Sequence, residues 1–366
     1  MSVLKMTARV SAALLALILL PGAPSPAAAQ GASNILLSPN ADYYGFDYDT
    51  NKDISLSACI SACRNDARCQ AFTYNKKSRW CFMKSDFGRS QPFAGTTAGR
   101  KTANQVDAAT GTALPPPPDP AFISASMRKN ANSLPGRLKK WYKPGRNGFN
   151  ALKKSAFRNL QDKQNLQAAK TFGAALALAT DDSAVLIAYG RAIMRQKDLT
   201  GKKGRLVREV AASSAILAYR AAPGPAVRAD ALNALAEALV AQKQWRMAMS
   251  AYKASLDISQ NPKIAKTLAA LRANHGFRVA KHQVDSDSAN PRICLRFSQG
   301  LKADFDFSPY VRIDGQPPEA LKLKGDRQLC LEGVSHAATY QLTLRQGLPS
   351  ANDGEVLEKQ VDLKVY

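Results

Sequence analysis

Residues 59–84 read CISACRNDARCQAFTYNKKSRWCFMK, and this stretch sets the architecture of the first module. Its four cysteines, Cys59, Cys63, Cys69 and Cys81, follow the pattern Cys-x3-Cys-x5-Cys-x11-Cys. Asp53-Ile54-Ser55 stands before them as a helix entry, so Cys59 and Cys63 lie one turn apart on one helix face. Neighbours on one helix rarely bond each other, and both are expected to reach outward. Cys63 is close enough to Cys69 for a local loop closure, which leaves Cys59 for Cys81 and nests one bridge inside the other. Each bridge contributes about 2–4 kcal/mol, a large share of the stability of so small a unit. Zinc is the rival reading. The spacing lacks paired Cys-x-x-Cys arms and no histidine is near, so disulfides are expected.

Working outward, the N-terminus fixes the compartment. Lys5 and Arg9 are followed by the apolar run Val10–Leu20, a break at Pro21–Pro26, and Ala27-Ala28-Ala29 before Gln30. That order reads as a secretory leader, residues 1–29, cleaved after Ala29; a buried N-terminal helix is the alternative. The run is shorter than the roughly 20 residues a membrane span requires, so no span is expected after cleavage. No cysteine follows the cleavage point, so no lipid anchor is expected there. Export exposes all six cysteines, Cys294 and Cys330 included, to oxidising conditions, where an even number signals disulfides.

The chain has 366 residues, 45% of them hydrophobic, which allows two or three domains with real cores. Four textures follow one another. Residues 30–93 hold the cysteine module. Residues 94–122 are poor in bulky apolar groups and carry Pro115-Pro116-Pro117-Pro118, the mark of a stiff extended linker. Residues 123–277 are rich in Ala, Leu and Lys, with helical periodicity clearest over Ala231–Leu256 and Ala168–Ile193. Gln242–Gln244 divides two helices and Asn261-Pro262 ends the pair. Residues 278–366 alternate apolar with polar side chains in Arg292–Phe297, Tyr310–Ile313, Tyr340–Leu344 and Val361–Val365, the period of half-buried strands. The expected fold is therefore multidomain α+β: a disulfide-rich α+β module, a helical-repeat middle and a C-terminal antiparallel β-sandwich.

Particular residues connect these regions to known families. Gly45-Phe46-Asp47-Tyr48, the four clustered cysteines, Ala71-Phe72-Thr73-Tyr74-Asn75 and Trp80-Cys81-Phe82-Met83-Lys84 resemble the PAN/Apple module over about 60 residues. The resemblance implies a helix cradled by a curved antiparallel sheet, nested bridges, and protein or carbohydrate binding without catalytic residues. Leu235-Ala236, Leu239, Ala248, Tyr252 and Ser255 fall at the packing positions of tetratricopeptide repeats, as do Ala168, Phe172, Ala175, Tyr189-Gly190 and Ile193. A long interruption at Gln196–Ala221 separates the two, and an ordinary helical bundle is the alternative. Arg292–Ser298, Gln328–Gly333 and Tyr340–Pro349 resemble the first macroglobulin-type domains of bacterial alpha-2-macroglobulins, some of which place a PAN module and helical repeats ahead of them. On that resemblance the chain is the N-terminal portion of a protease-inhibitor or defence protein. The last domain is then truncated, whether in a split subunit or a truncated gene product, with bait and thioester regions beyond Tyr366. Cys330-Leu331-Glu332-Gly333 only imitates the thioester motif. Gly333 lacks the Gln side chain that serves as acyl donor, and Cys330 and Cys294 are expected to bridge neighbouring strands.

No catalytic chemistry is legible. His275, His282 and His336 form no HExxH or close metal pair, no Gly-x-Ser-x-Gly elbow occurs, and Gly99-Arg100-Lys101-Thr102 fails the phosphate-loop spacing. The chain is expected to be no enzyme and to need no cofactor or metal. Its formal charge is +23, and between Asp119 and Asp162 no acidic residue interrupts the basic ones. Arg137, Lys139, Lys140, Lys143 and Arg146, interleaved with Trp141, Tyr142 and Phe149, are the candidate polyanion contacts; a solvated basic face is the bland reading. Export favours an anionic envelope glycan or an acidic protein surface over nucleic acid, and proteases as partners only with the missing C-terminal part. The leading expectation is an exported, periplasmic or secreted, non-catalytic protein docking to protein or glycan. A stand-alone PAN adhesion or scaffolding protein is the alternative.

Overall fold

The computed structural model describes residues 34–103, 111, 115–197, 199–287, 289–351 and 354–366; the expected leader at residues 1–29 lies outside them. The cysteine module contains β1 (Asn34–Tyr43), β2 (Asp47–Asn51), α1 (Leu56–Asn65), β3 (Ala71–Asn75), β4 (Trp80–Lys84) and β5 (Ser90–Thr102). The strands form one antiparallel sheet in the order β1-β5-β3-β4-β2. Ser55 caps α1, its Oγ accepting the Ala58 N–H at 3.1 Å. That cap satisfies one of the first-turn donors that no helix can satisfy for itself. Cys59 and Cys63 point from α1 into the sheet, where Cys59 bonds Cys81 and Cys63 bonds Cys69, all four fully buried. The loops closed are 22 and 6 residues long, worth about 3 and about 2 kcal/mol in chain entropy.

The sheet runs past the expected linker boundary at residue 94. β5 continues to Thr102, paired with β1 on one side and β3 on the other, and Thr96, Thr97 and Ala98 are buried. Small residues suffice there because both flanking strands supply the bulk. Gly99 lies opposite Phe72, and a Cβ on it would stand 2.3 Å from the Phe72 ring, so only glycine lets the ring cover the strand.

Eight helices follow among the described residues: α2 (Ala125–Trp141), α3 (Phe149–Gln161), α4 (Asn165–Leu176), α5 (Ser183–Met194), α6 (Gly201–Arg220), α7 (Pro225–Ala241), α8 (Trp245–Ile258) and α9 (Pro262–His275). Each from α3 onward packs on the next, and α2 folds back on α4 and α6. The interruption expected at Gln196–Ala221 is mostly the 20-residue α6. Its buried face is made of Ala211, Ala212, Ser213, Ser214, Ala215 and Ala218 beside Val210 and Ile216. Small side chains permit close helix approach but leave a faint hydrophobic period. Two buried serines repeat one device: Ser214 Oγ of α6 donates to the Leu186 carbonyl of α5, and Ser255 Oγ of α8 donates to the Ala229 carbonyl of α7, each at 2.8 Å. The proline run does not act as a free spacer. Arg220 grips Asp119 with Nε and Nη2 at 2.8 and 2.6 Å, fixing its end against α6.

The C-terminal unit has β6 (Val279–Asp285), β7 (Arg292–Phe297), β8 (Val311–Ile313), β9 (Ala320–Lys324), β10 (Gln328–Glu332), β11 (Tyr340–Leu344) and β12 (Val361–Val365). They form two antiparallel sheets, β6-β7-β10-β9 and β12-β11-β8. Ile293, Leu295, Phe297, Leu329, Leu331, Leu342 and Leu344 meet in one core between them. Cys294 and Cys330 lie directly opposite in register and are bonded to each other, on the side away from that core.

The module and the helices share a further core. Tyr43 and Ala98 of the sheet, with Phe87 of the loop between β4 and β5, belong to the same apolar cluster as Phe149, Phe172 and Leu186 of the helices. At its rim, the buried Asp86 carboxylate accepts the N–H groups of Asn150 at 2.9 Å and Ala151 at 3.0 Å, while the Phe87 carbonyl accepts that of Phe149 at 2.9 Å. The first three donors of α3 are thus satisfied by another domain. Gly148, the N-cap of α3, makes this fit possible, since a Cβ there would stand 2.3 Å from the Asp86 carboxyl carbon. Phe87 stacks on Phe149 with centroids 5.2 Å apart, and Arg100 pairs with Asp181 at 2.6 Å, both largely buried.

Two predictions follow from this packing. Asp86→Ala removes a cap and strands buried donors, so it should cost about 2–3 kcal/mol in urea unfolding and expose the Asn150 and Ala151 amides to hydrogen exchange. Gly148→Ala should do the same through the clash, and unchanged exchange at both amides would refute the cap. The second concerns acid. The Tyr48 hydroxyl donates to Asp66, which also accepts the Arg68 N–H, and these bonds hold the Asp66 carboxyl below its usual range. Because the folded group titrates below the unfolded one, near 3.9, its contribution is complete above that value and is lost as pH falls through the folded value. Tyr48→Phe should therefore narrow the stability difference between about pH 6 and about pH 2.5, measured by denaturant titration.

Candidate binding clefts on the cysteine module

Tyr44 and Gly45 border two depressions that open on this module among the described residues. The first, about 290 Å³, lies over the sheet. Its polar lining comes from β3 and β4 and the strands beside them. The Lys84 ammonium is buried 2.6 Å from Asp47 Oδ1 and 3.2 Å from the Gly45 carbonyl oxygen. Thr73 Oγ1 donates to Asp42 Oδ1 at 2.5 Å. Asn75 spends its side-chain oxygen on the Lys77 and Ser78 N–H groups at 3.0 and 3.1 Å, which leaves its amide nitrogen for the cleft. Two aromatic rings flank these groups with much of their surface in solvent, Tyr44 at 78% and Phe93 at 56% exposure. A polar set between exposed rings gives a ligand both apolar contact and fixed hydrogen-bond directions.

The second depression, about 710 Å³, lies where the module meets the helices. Tyr44, Phe46, Arg89 and Gln91 line it from the module, and Lys143, Arg146, Asn147 and Leu178 from the helical region. Arg89, Lys143 and Arg146 are exposed, no carboxylate shares the lining, and none of the three has an ion-pair partner among the described residues. Close alignment of like charge in a concavity raises the local positive potential.

The sequence-derived cations divide between this cleft and other places. Lys143 and Arg146 line it. Arg137 does not; it pairs with Glu209 at 2.8 Å and lies 4.8 Å from the centroid of Trp141. Lys139 and Lys140 are exposed in the last turn of α2, where cations complement the helix dipole. The Tyr142 hydroxyl meets that of Tyr189 at 3.1 Å, and Phe149 is buried against Phe87, so neither ring is presented for stacking on a ligand. Arg89 belongs with Lys143 and Arg146 but gives no sign in the sequence, standing alone in a module of mixed charge. His275 stacks on Trp245 with centroids 3.9 Å apart, far in sequence from His336 and separate from His282 on β6. Among the described residues, no group of three or more His, Cys, Asp or Glu side chains is placed to hold a metal. No helix among them is long and apolar enough to cross a membrane.

Comparison with known proteins bears on the module most directly. Residues 35–107 match the PAN domain family model. No curated protein matches the chain. Among solved structures, Escherichia coli alpha-2-macroglobulin spanning domains MG0-NIE-MG1 overlaps at 18% identity and a TM-score of 0.23, covering 26% of this chain and 33% of that one. The N-terminal part of the bacterial S-layer protein SbsC overlaps at 13% identity and 0.22, over 65% of this chain and 57% of that one. SbsC domains 1–6 overlap at 13% and 0.24, over 69% and 34%. The chain thus spans a third of the alpha-2-macroglobulin structure and little over half of the shorter SbsC one. Overlaps this loose establish no common fold. The cysteine-stapled module, residues 35–107, is a PAN domain.

Proposed function

We propose that this protein is an exported, non-catalytic binding protein that takes a glycan of the cell envelope in the cleft over its PAN sheet. The observation that carries the reading is the pair of exposed rings, Tyr44 and Phe93, flanking the polar groups of Asp42, Thr73 and Asn75. Sugar rings offer apolar faces to aromatic side chains and hydroxyls to amides and carboxylates. PAN domains serve protein or carbohydrate binding, and three disulfides suit an extracellular, secreted or periplasmic setting. The larger role we propose is that of the N-terminal portion of an alpha-2-macroglobulin-type protease-defence protein. The motifs Arg292–Ser298, Gln328–Gly333 and Tyr340–Pro349, and the order of PAN module, helical hairpins and β unit, support it. In that role the PAN and helical parts dock the assembly, while Cys330, bonded to Cys294, takes no part in thioester chemistry.

Purified protein should be retained by immobilised envelope polysaccharide, such as peptidoglycan sacculi or lipopolysaccharide. Phe93→Ala and Asn75→Ala should each weaken retention about tenfold, the loss expected when one well-placed contact of a small site is removed. The melting temperature of Phe93→Ala should stay within a few degrees, since that ring borders solvent, whereas Asn75→Ala also gives up the bonds to the Lys77 and Ser78 N–H groups and should melt lower. Retention on no polysaccharide, or retention indifferent to both variants, would sink the glycan reading. Added to a protease acting on a large protein substrate, the chain should leave the rate unchanged; stoichiometric inhibition would show that these residues alone trap proteases.

A further inference from the structure

The second cleft is built from two domains, and its walls are tied together by the contacts that join those domains. Asp86 and Phe87, which cap and stack on the start of α3, immediately precede Gly88 and Arg89 of the cleft wall. Gly148 and Phe149, which receive them, immediately follow the loop carrying Lys143, Arg146 and Asn147. The three cations are therefore brought together by the fold itself, before any ligand arrives. Asp86 is the carboxylate closest to Arg89 in sequence, and it is buried and already accepts the N–H groups of Phe87, Asn150 and Ala151. Three unneutralised positive charges share one concave lining, a repulsive arrangement that an anionic ligand would relieve. Ordered in advance, they also spare the ligand much of the entropy cost of assembling a site.

Tyr44 and Gly45 line both this cleft and the one over the sheet, so the two adjoin as one groove, with Asp42, Asp47 and the buried Lys84 among the polar groups of the sheet end and the three cations at the other. We infer that this groove binds a linear, carboxylate-bearing polysaccharide, with its acidic groups on Arg89, Lys143 and Arg146 and its rings against Tyr44 and the sheet cleft. This deepens the glycan reading above and rests on it for the sheet end. An acidic polypeptide fits less well. β3, β4 and β5 beneath the sheet cleft are each paired on both edges, so an extended peptide finds no free backbone ladder there. What the groove offers instead is side chains and ring faces.

Polygalacturonate, a linear polymer of uronic acid, is the probe, and its fully methyl-esterified form removes the charge while keeping the sugars. The intact protein should bind polygalacturonate, with affinity falling as salt rises. Changing Arg89, Lys143 and Arg146 together to Gln should weaken it at least about tenfold, far more than the modest value of scattered surface charges implies. The charge-matched control, Lys202→Gln with Lys203→Gln and Arg205→Gln on the exposed start of α6, should change it less than about threefold. The esterified polymer should bind more weakly and ignore the cleft variant. Absence of polygalacturonate binding, equal losses in both triple variants, or poly-L-glutamate binding as tightly as the uronate would each overturn the inference. The sheet end is scored separately. If Phe93→Ala leaves binding of the esterified polymer intact, the sheet-cleft reading fails whatever the cations do.

Discussion

The Asp86 carboxylate sits on the first turn of α3, and much of the molecule's organisation depends on that contact. A helix start leaves backbone donors without partners, and a carboxylate near it is favoured by both hydrogen bonding and the helix dipole. Here the group is supplied from 64 residues upstream, by a different domain. The stacked Phe87–Phe149 pair and the Arg100–Asp181 ion pair lie beside it. Burial works to lower the Arg100 pKa, but Asp181 and Tyr43 outweigh it, and the guanidinium is held firmly charged. The PAN domain is accordingly fused to the helices through a common core.

That fusion changes the surface the module presents. A PAN sheet on a loose tether presents only its own surface. Docked against α3 and the loop before it, the same module gains a second wall, and its Arg89 is joined by Lys143 and Arg146. Arg137, which the sequence groups with them, is neutralised by Glu209, so density of basic residues along the chain is a poor guide to where positive potential collects.

The helical and β regions achieve their packing by different means. In α6 and α8 a buried serine ties each helix to its predecessor, and small residues set the helices close together. In the β unit, alternation puts Ile293, Leu295 and Phe297 inward and turns Cys294 to the other face, where Cys330 of the adjacent strand meets it. The strands with the strongest alternation are plain in the sequence. β6 and β9 are less so, because they form the sheet's edges and keep Lys281, His282, Lys322 and Lys324 in solvent.

Local constraints were legible. Ser55 capping α1, the short loops joining Cys63 to Cys69 and Cys59 to Cys81, the break at Gln242–Gln244 and the two-residue period of β7 and β11 all involve neighbours along the chain or a simple repeat, and composition records them. β5 beyond residue 94 and α6 were harder to see because small residues pack well but carry almost no hydrophobic period. The Asp86 cap, the pinning of Asp119 by Arg220, and the meeting of Arg89 with Lys143 and Arg146 left no trace in the sequence. Each joins residues tens of positions apart whose chemistry is ordinary on its own. The sequence determined the modules, their secondary structure and the cysteine framework; only the tertiary structure decided which charges face one another, because that depends on how the modules dock.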